Sequence, residues 1–371
     1  AEPNGTITDN TATWDITPTN YYTYRGCLIE EARTNLIWPS SDFSHVYWTP
    51  RAGTGLIVSD TSAPDGAPAY LFTQTDGTSS GQDITHFLNL TGVGTRSFYC
   101  KSHGGQRYAQ IAISGASAKY ANFDIIDGTL GTTNGVSAIE RLADGWFRCS
   151  LYSDASDSKN FVVLMQDTLT ASRYGSIVGD ASKGIYMFGA QFEEAASAAS
   201  SYIPTTTATV TRNADQLTYD TANWFADGKA GTMQVDVDWY GFDSTTSYIY
   251  WLSDTTATEQ ISIRRKATGA VSAAITTGGV AQVATDIGAV DGYSSRVTQT
   301  FSDNDFAATI DGAAVAVDST VYLPTITKLE LAADVNSTNT LNGCLLNIIY
   351  YQKRLANSVI EANSKRENSN D

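Results

Sequence analysis

An all-β chain of two antiparallel β-sandwiches is what this sequence predicts, and three observations carry the prediction. Thr, Ser, Ala, Asp, Gly, Val and Tyr dominate, which favours strands and turns, and long helix-forming runs of Glu, Lys, Leu and Arg are missing. Short apolar or alternating runs recur between turn signals such as Asp127-Gly128 and Asp311-Gly312, a pattern of sandwiches and not of βαβ units. The length, 371 residues, is enough for two domains that each bury a core of their own.

Taken in order, residues 1–40 read as an N-terminal extended arm followed by a docking strand. The arm is rich in Thr and Asn and ends in Tyr21, Tyr22 and Tyr24, an aromatic end suited to docking. In the docking strand, alternation puts Ile29, Glu31 and Arg33 on one side and Leu28, Glu30 and Ala32 on the other. Both sides are mixed, so the strand is expected to lie between partners.

Residues 41–215 read as the first sandwich, of the jelly-roll kind. Its strands are Leu56 to Val58, Ala69 to Phe72, Arg96 to Cys100, Tyr108 to Ile113, Tyr120 to Ile126, Trp146 to Tyr152, Phe161 to Met165 and Gly184 to Phe192. Pro204 and the run Thr205 to Thr211 mark the exit, because proline and a β-branched polar tract favour an extended connector. Residues 216–360 carry the second set of strands: Thr232 to Tyr240, Tyr248 to Leu252, Gln260 to Arg264, Ala270 to Thr276, Arg296 to Phe301, Ala307 to Ile310, Thr327 to Ala332 and Cys344 to Tyr351. Asp311-Gly312 signals a hairpin between Ile310 and the run Ala314 to Val317. Residues 361–371 read as a polar C-terminal tail.

The formal net charge is −16, which repels phosphate backbones and anionic lipid surfaces and makes nucleic acid an unexpected partner. No stretch approaches the roughly 20 apolar residues of a membrane span, and AEPNGTITDN lacks the order of a signal peptide. The four cysteines form no Cys-x-x-Cys pair and the histidines are only His45, His86 and His103, a set poorly suited to zinc. Cys100 and Cys149 are read as buried free thiols, with a disulfide between them as the alternative. No metal and no cofactor is expected.

The tempting carboxylates are Glu30-Glu31 and Glu193-Glu194. Adjacent strand residues point to opposite faces, so neither pair makes a hydrolytic dyad by itself. They are expected instead to act in structural ion pairs, Glu31 and Glu193 with Arg33 and Arg212. Asp303-Asn304-Asp305 with Asp311 is read as a hairpin tip in preference to a calcium loop. Glycan binding calls for exposed rings beside polar groups, and Tyr47, Trp48, Tyr108, Tyr248 and Trp251 are the candidates in or near turns. Core packing or subunit contact is the competing reading of those five. No catalytic residue is predicted.

Two phrases point to a family. Gly26-Cys27-Leu28-Ile29-Glu30-Glu31-Ala32-Arg33-Thr34-Asn35-Leu36, and the run IYMFGAQFEEAASAASSYIPTTTATVTRNAD from Ile185 to Asp215, resemble phrases of virion proteins of tailed bacteriophages. There one phrase precedes a β-sandwich and the other leads out of it into a second, concanavalin A-like or laminin-G-like one. The stretch Leu341 to Leu355, with Tyr350, Tyr351 and Arg354, is similar to the end of that second domain.

The resemblance implies a non-enzymatic tail, fibre or head-decoration protein on the virion exterior. Its implied partners are other virion proteins and further copies of itself, commonly three, with host-surface glycans as a further contact. A polysaccharide depolymerase working in a sandwich cleft and a bacterial pair of carbohydrate-binding modules are the alternatives. Glycan-cutting concanavalin A-like enzymes carry Glu-x-Asp-x-Glu or Arg-x-Glu-x-Arg strands. Neither Val235-Asp236-Val237-Asp238 nor Ile263-Arg264-Arg265-Lys266 completes such a pattern.

Overall fold

The computed structural model describes residues 26–365 apart from 53, 76, 78, 91, 115–118, 155–158, 226–229, 241–245, 291–293 and 337–338. The expected arm, with Tyr21, Tyr22 and Tyr24, lies outside the described residues. The chain is all-β, and the helix Asn357–Ser364 is the one α-helix among the described residues. It forms two antiparallel sandwiches, a jelly-roll type followed in sequence by a laminin-G-like type. One compact unit comprises Ala32–Asn213; the other takes the chain up to Glu31 together with Ala214 onward.

In the first sandwich, sheet I runs in the order Thr129–Thr133, Tyr120–Asp124, Tyr108–Ile113, Lys159–Gln166, Gln82–Leu90, Trp48–Pro50. Sheet II runs Val136–Arg141, Trp146–Ser153, Gly94–His103, Gly184–Glu194, Pro68–Thr73, Gly55–Ser62. Strict alternation sends Phe98 and Cys100, Phe147, Cys149 and Leu151, and Ile111 and Ile113 into one core shared by both sheets. The outer face of sheet II is also covered, since Tyr99, Trp146 and Phe188 pack with Tyr202 from the chain beyond Glu194. Gly189, at φ +58°, sits where the register shifts between Phe188 and Gln191. A Cβ there would meet the Tyr99 ring at 2.9 Å, so glycine is what lets the strand bend past it.

The second sandwich pairs sheet III, in the order Cys27–Ile29, Gly343–Tyr351, Ala230–Trp239, Ser294–Ser302, Asp305–Ile310, Ala316–Asp318, with sheet IV. Sheet IV runs Leu217–Asp220, Lys328–Leu331, Ser247–Ser253, Gln260–Arg265, Ala270–Thr277, Val280–Ala289. Val235, Val237, Trp239, Ile261, Ile263, Val297 and Phe301 fill the space between them. At Asp311-Gly312 both residues take positive φ, 48° and 75°, the backbone of a tight hairpin turn.

The docking strand divides between the units. Cys27–Ile29 pairs with Gly343–Tyr351 at the edge of sheet III, whereas Arg33–Asn35 pairs with Val210–Arg212. The expected strand Tyr120 to Ile126 stops at Asp124, because the Asp124 carboxylate accepts the N–H groups of Ile126 and Asp127 at 3.0 Å and turns the chain. At the other end of the chain, the helix reaches Ser364, and the Ser364 hydroxyl accepts the Gly312 N–H at 2.9 Å.

Candidate functional site

The two signature phrases fold against each other as a hydrogen-bonded clamp inside the first sandwich. Asn35 is wholly buried; its amide donates to Ala190 O at 3.1 Å and Ile203 O at 2.9 Å, and its Oδ1 accepts from Ile37 N and Phe192 N. Ser40 Oγ accepts Thr205 N at 2.9 Å and lies 2.5 Å from the Tyr202 hydroxyl, while Thr205 Oγ1 donates to Ile37 O at 2.6 Å. Gln191 Oε1 accepts Ile203 N at 2.7 Å. These buried polar atoms satisfy one another, which is how a core tolerates them.

Of the four residues expected in ion pairs, Glu31 falls in one unit and Arg33, Glu193 and Arg212 in the other. The buried Glu193 carboxylate is bonded by the backbone N–H and the hydroxyl of Ser200, so serine stands where arginine was expected. Seven residues beyond Glu193, the chain turns back over the strand and brings that donor closer than any arginine. Arg33 and Arg212 are register partners across their short ladder, beside Thr34 and Thr211, whose hydroxyls lie 2.7 Å apart.

The five candidate rings have different fates. Tyr47 is half-buried on the surface of the first sandwich, edge-on to Trp38 at 4.8 Å and 4.9 Å from the His45 ring. Val46 and Phe87 flank it, 79% and 54% exposed. Phe87 N donates to Tyr47 O at 3.0 Å, which holds the flank in place. Trp48 lies beneath, only 3% exposed, with its indole N–H on Pro39 O. Its ring meets His86 edge to face at 4.7 Å and Phe43 at a tilt at 4.7 Å, so a run of rings descends from surface to core. Burial holds the His86 imidazole down at about 4, a neutral ring in the middle of that run.

Tyr108 is half-buried at the start of a sheet I strand, below the guanidinium of Arg107. Arg107 bridges Asp124, at 2.7 Å, and Asp127. Burial alone would raise the Asp124 carboxyl, but the Asp127 and Ile126 N–H groups and Arg107 outweigh it and hold the group below its ordinary range. Tyr248 and Trp251 are 6% and 5% exposed and meet edge to face at 4.7 Å, with Arg264 donating to the Tyr248 hydroxyl at 3.0 Å. Neither offers a ring face to solvent: both faces of their strand are packed, and turn proximity in sequence did not translate into exposure.

Cys100 and Cys149 are buried free thiols with sulfurs 3.8 Å apart. They are diagonal on neighbouring strands, Cys100 opposite Phe147 and Cys149 opposite Phe98. Diagonal positions lie about 7–8 Å apart, beyond the usual span of a disulfide. Asp305 pairs with Arg354 and Asp311 accepts Arg296 N, so the hairpin carboxylates have structural partners. No group of three metal-type side chains occurs among the described residues.

Of the surface ring group, sequence reasoning named Tyr47 but missed Trp38, His45 and Phe87. Only the density of aromatic residues between Trp38 and Trp48 hinted at them. Chemically, the arrangement offers ring edges, an imidazole and a phenol to a neutral polar ligand.

No known protein family matches the chain by sequence, and no curated protein does. Solved structures with a similar arrangement include the CBM40 of the Ruminococcus gnavus IT-sialidase bound to alpha2,3 sialyllactose, at 10% identity over 40% of this chain and 92% of that one, TM-score 0.35. Mouse laminin alpha1 domains LG4-5 align at 12% identity over 84% of this chain and 96% of theirs, TM-score 0.30. Chicken galectin 2 aligns at 10% identity over 37% and 100%, TM-score 0.27.

Proposed function

We propose that this chain is a non-enzymatic structural protein of the exterior of a tailed-phage particle, which contacts host-surface glycans through the Trp38, His45 and Tyr47 patch. One observation carries the glycan contact. Half-buried rings in edge-to-face and tilted contact beside exposed Val46 and Phe87 form an apolar patch with polar tips, the surface that sugar C–H faces and hydroxyls match. The structural role is supported by the clamp, in which the two phrases that resemble phage virion proteins hold each other through buried hydrogen bonds.

The purified chain on a glycan array, followed by Tyr47→Ala, tests the contact. Binding to a subset of glycans that is lost in the folded variant supports it, and unchanged binding removes it. The structural role predicts the chain in purified particles at fixed stoichiometry. Release of reducing ends from capsular polysaccharide by the isolated chain would replace it with the depolymerase reading.

A further inference from the structure

Where the chain crosses from sheet I to sheet II, the turn Thr133-Asn134-Gly135 walls a cleft of about 300 Å³, completed by Lys119, Tyr152 and Asp154. That is the small end of ligand pockets, the size for one sugar ring. The turn is held rigid. Asn134 N donates to Tyr120 O, Asn134 Oδ1 accepts Tyr120 N at 2.7 Å, and Thr133 Oγ1 donates to Gly135 O at 2.8 Å. A Cβ at Gly135 would meet Leu151 Cδ1 at 2.7 Å and Tyr152 O at 2.9 Å, so only glycine lets the turn lie this close to the Tyr152 strand.

Lys119 Nζ stands 3.1 Å from Asp154 Oδ1, and the two side chains are 24% and 67% exposed. Lys119 holds the Asp154 carboxyl below its ordinary range, so at neutral pH Asp154 is a carboxylate. Each keeps bonding capacity beyond the other: the ammonium has further N–H groups and the carboxylate a second oxygen. A donor and an acceptor one hydrogen-bond length apart match a vicinal diol, whose oxygens have the same spacing. Tyr152, half-buried, and Val136, 68% exposed, supply an apolar wall beside them.

We infer that this cleft is a hexose subsite, in which a vicinal diol bridges Lys119 and Asp154 while the ring's C–H face lies on Tyr152. The inference rests on the glycan-contact reading for its ligand class and uses no residue of the Tyr47 patch. The test is amide NMR of the full chain titrated with methyl hexosides, and with cyclohexane-1,2-diol against cyclohexane-1,3-diol.

The expected result is saturable shifts at Asn134 and Gly135 with a hexoside and the 1,2-diol, at dissociation constants of about 1–10 mM. Asp154→Asn, a change at an exposed side chain, should weaken them about tenfold through loss of charge-assisted bonds. Unshifted Asn134 and Gly135 amides throughout, or equal response to both diols, would overturn the subsite. Shifts confined to Trp38, His45 and Tyr47 would do so while leaving the patch intact as the glycan contact.

Discussion

Replacing Arg96 with methionine should stabilise the first sandwich. Arg96 has no exposed surface, lies among Phe98, Leu151 and Phe192, and none of its three guanidinium nitrogens has a hydrogen-bond partner among the described residues. Burial pulls the guanidinium down to about 10, which corresponds to about 3 kcal/mol against the charged form. One contact offsets this: the guanidinium lies 4.1 Å from the centre of the Phe192 ring, a cation–π interaction of about 2 kcal/mol when desolvated. Methionine retains a long flexible stem and removes the charge, as in other replacements of buried ions by apolar side chains. The net expectation is a gain of about 1–2 kcal/mol. Urea unfolding followed by near-ultraviolet circular dichroism measures it, and the melting point should rise by about 2–4 °C per kcal/mol for a domain of this size. A loss of stability in the variant, with the native spectrum kept, would refute the reasoning, since it would mean that the guanidinium has a favourable role in the core.

Further expectations follow from the clamp, the buried histidine and the thiols. Asn35→Ala removes one side of four buried hydrogen bonds and should destabilise the first sandwich by about 3 kcal/mol or more in the same unfolding assay. His86 stays neutral in the fold down to about pH 4, whereas the unfolded chain takes up its proton near 6.5. Stability should therefore be complete above pH 6.5 and fall by about 3 kcal/mol towards pH 4, a slope that His86→Gln flattens. A thiol reagent should find one reactive cysteine, the exposed Cys27, in the native chain and four after denaturation. Two in the denatured, unreduced chain would show that a disulfide forms after all.

Much of the β-structure was legible because its strands alternate cleanly. Tyr108–Ile113 and Ala230–Trp239 send every second residue into an apolar core, and the pattern is plain in the letters. Gln82–Leu90 was missed for a physical reason: Gln82 and the imidazole of His86 share the inward face with Ile84 and interrupt the apolar alternation. Val280–Ala289 was missed because two register shifts against Ala270–Thr277 break its period. The site was harder to read. Whether a ring is exposed depends on what packs over it, and the covering of Tyr248 and Trp251, or the gathering of Trp38 and His45 around Tyr47, comes from packing that spacing does not encode. The cleft at Lys119 and Asp154 joins residues from four separate strand ends, and the sequence carries no signal for it.

The pairing of Cys27–Ile29 with Gly343–Tyr351 has a consequence for biogenesis. A ribosome delivers the first of these strands before all of Ala32–Asn213 and the second after it, so the whole jelly roll can finish folding while its predecessor waits for a mate. Glu30 and Asp215 exchange two hydrogen bonds at 2.9 Å, so the points where the chain leaves and re-enters the later domain are neighbours. The jelly roll is thereby an insert between adjoining ends, a position in which evolution can exchange one cassette for another without disturbing its host. A nascent chain cut short before Gly343 would be left with an orphaned strand beside a completed insert.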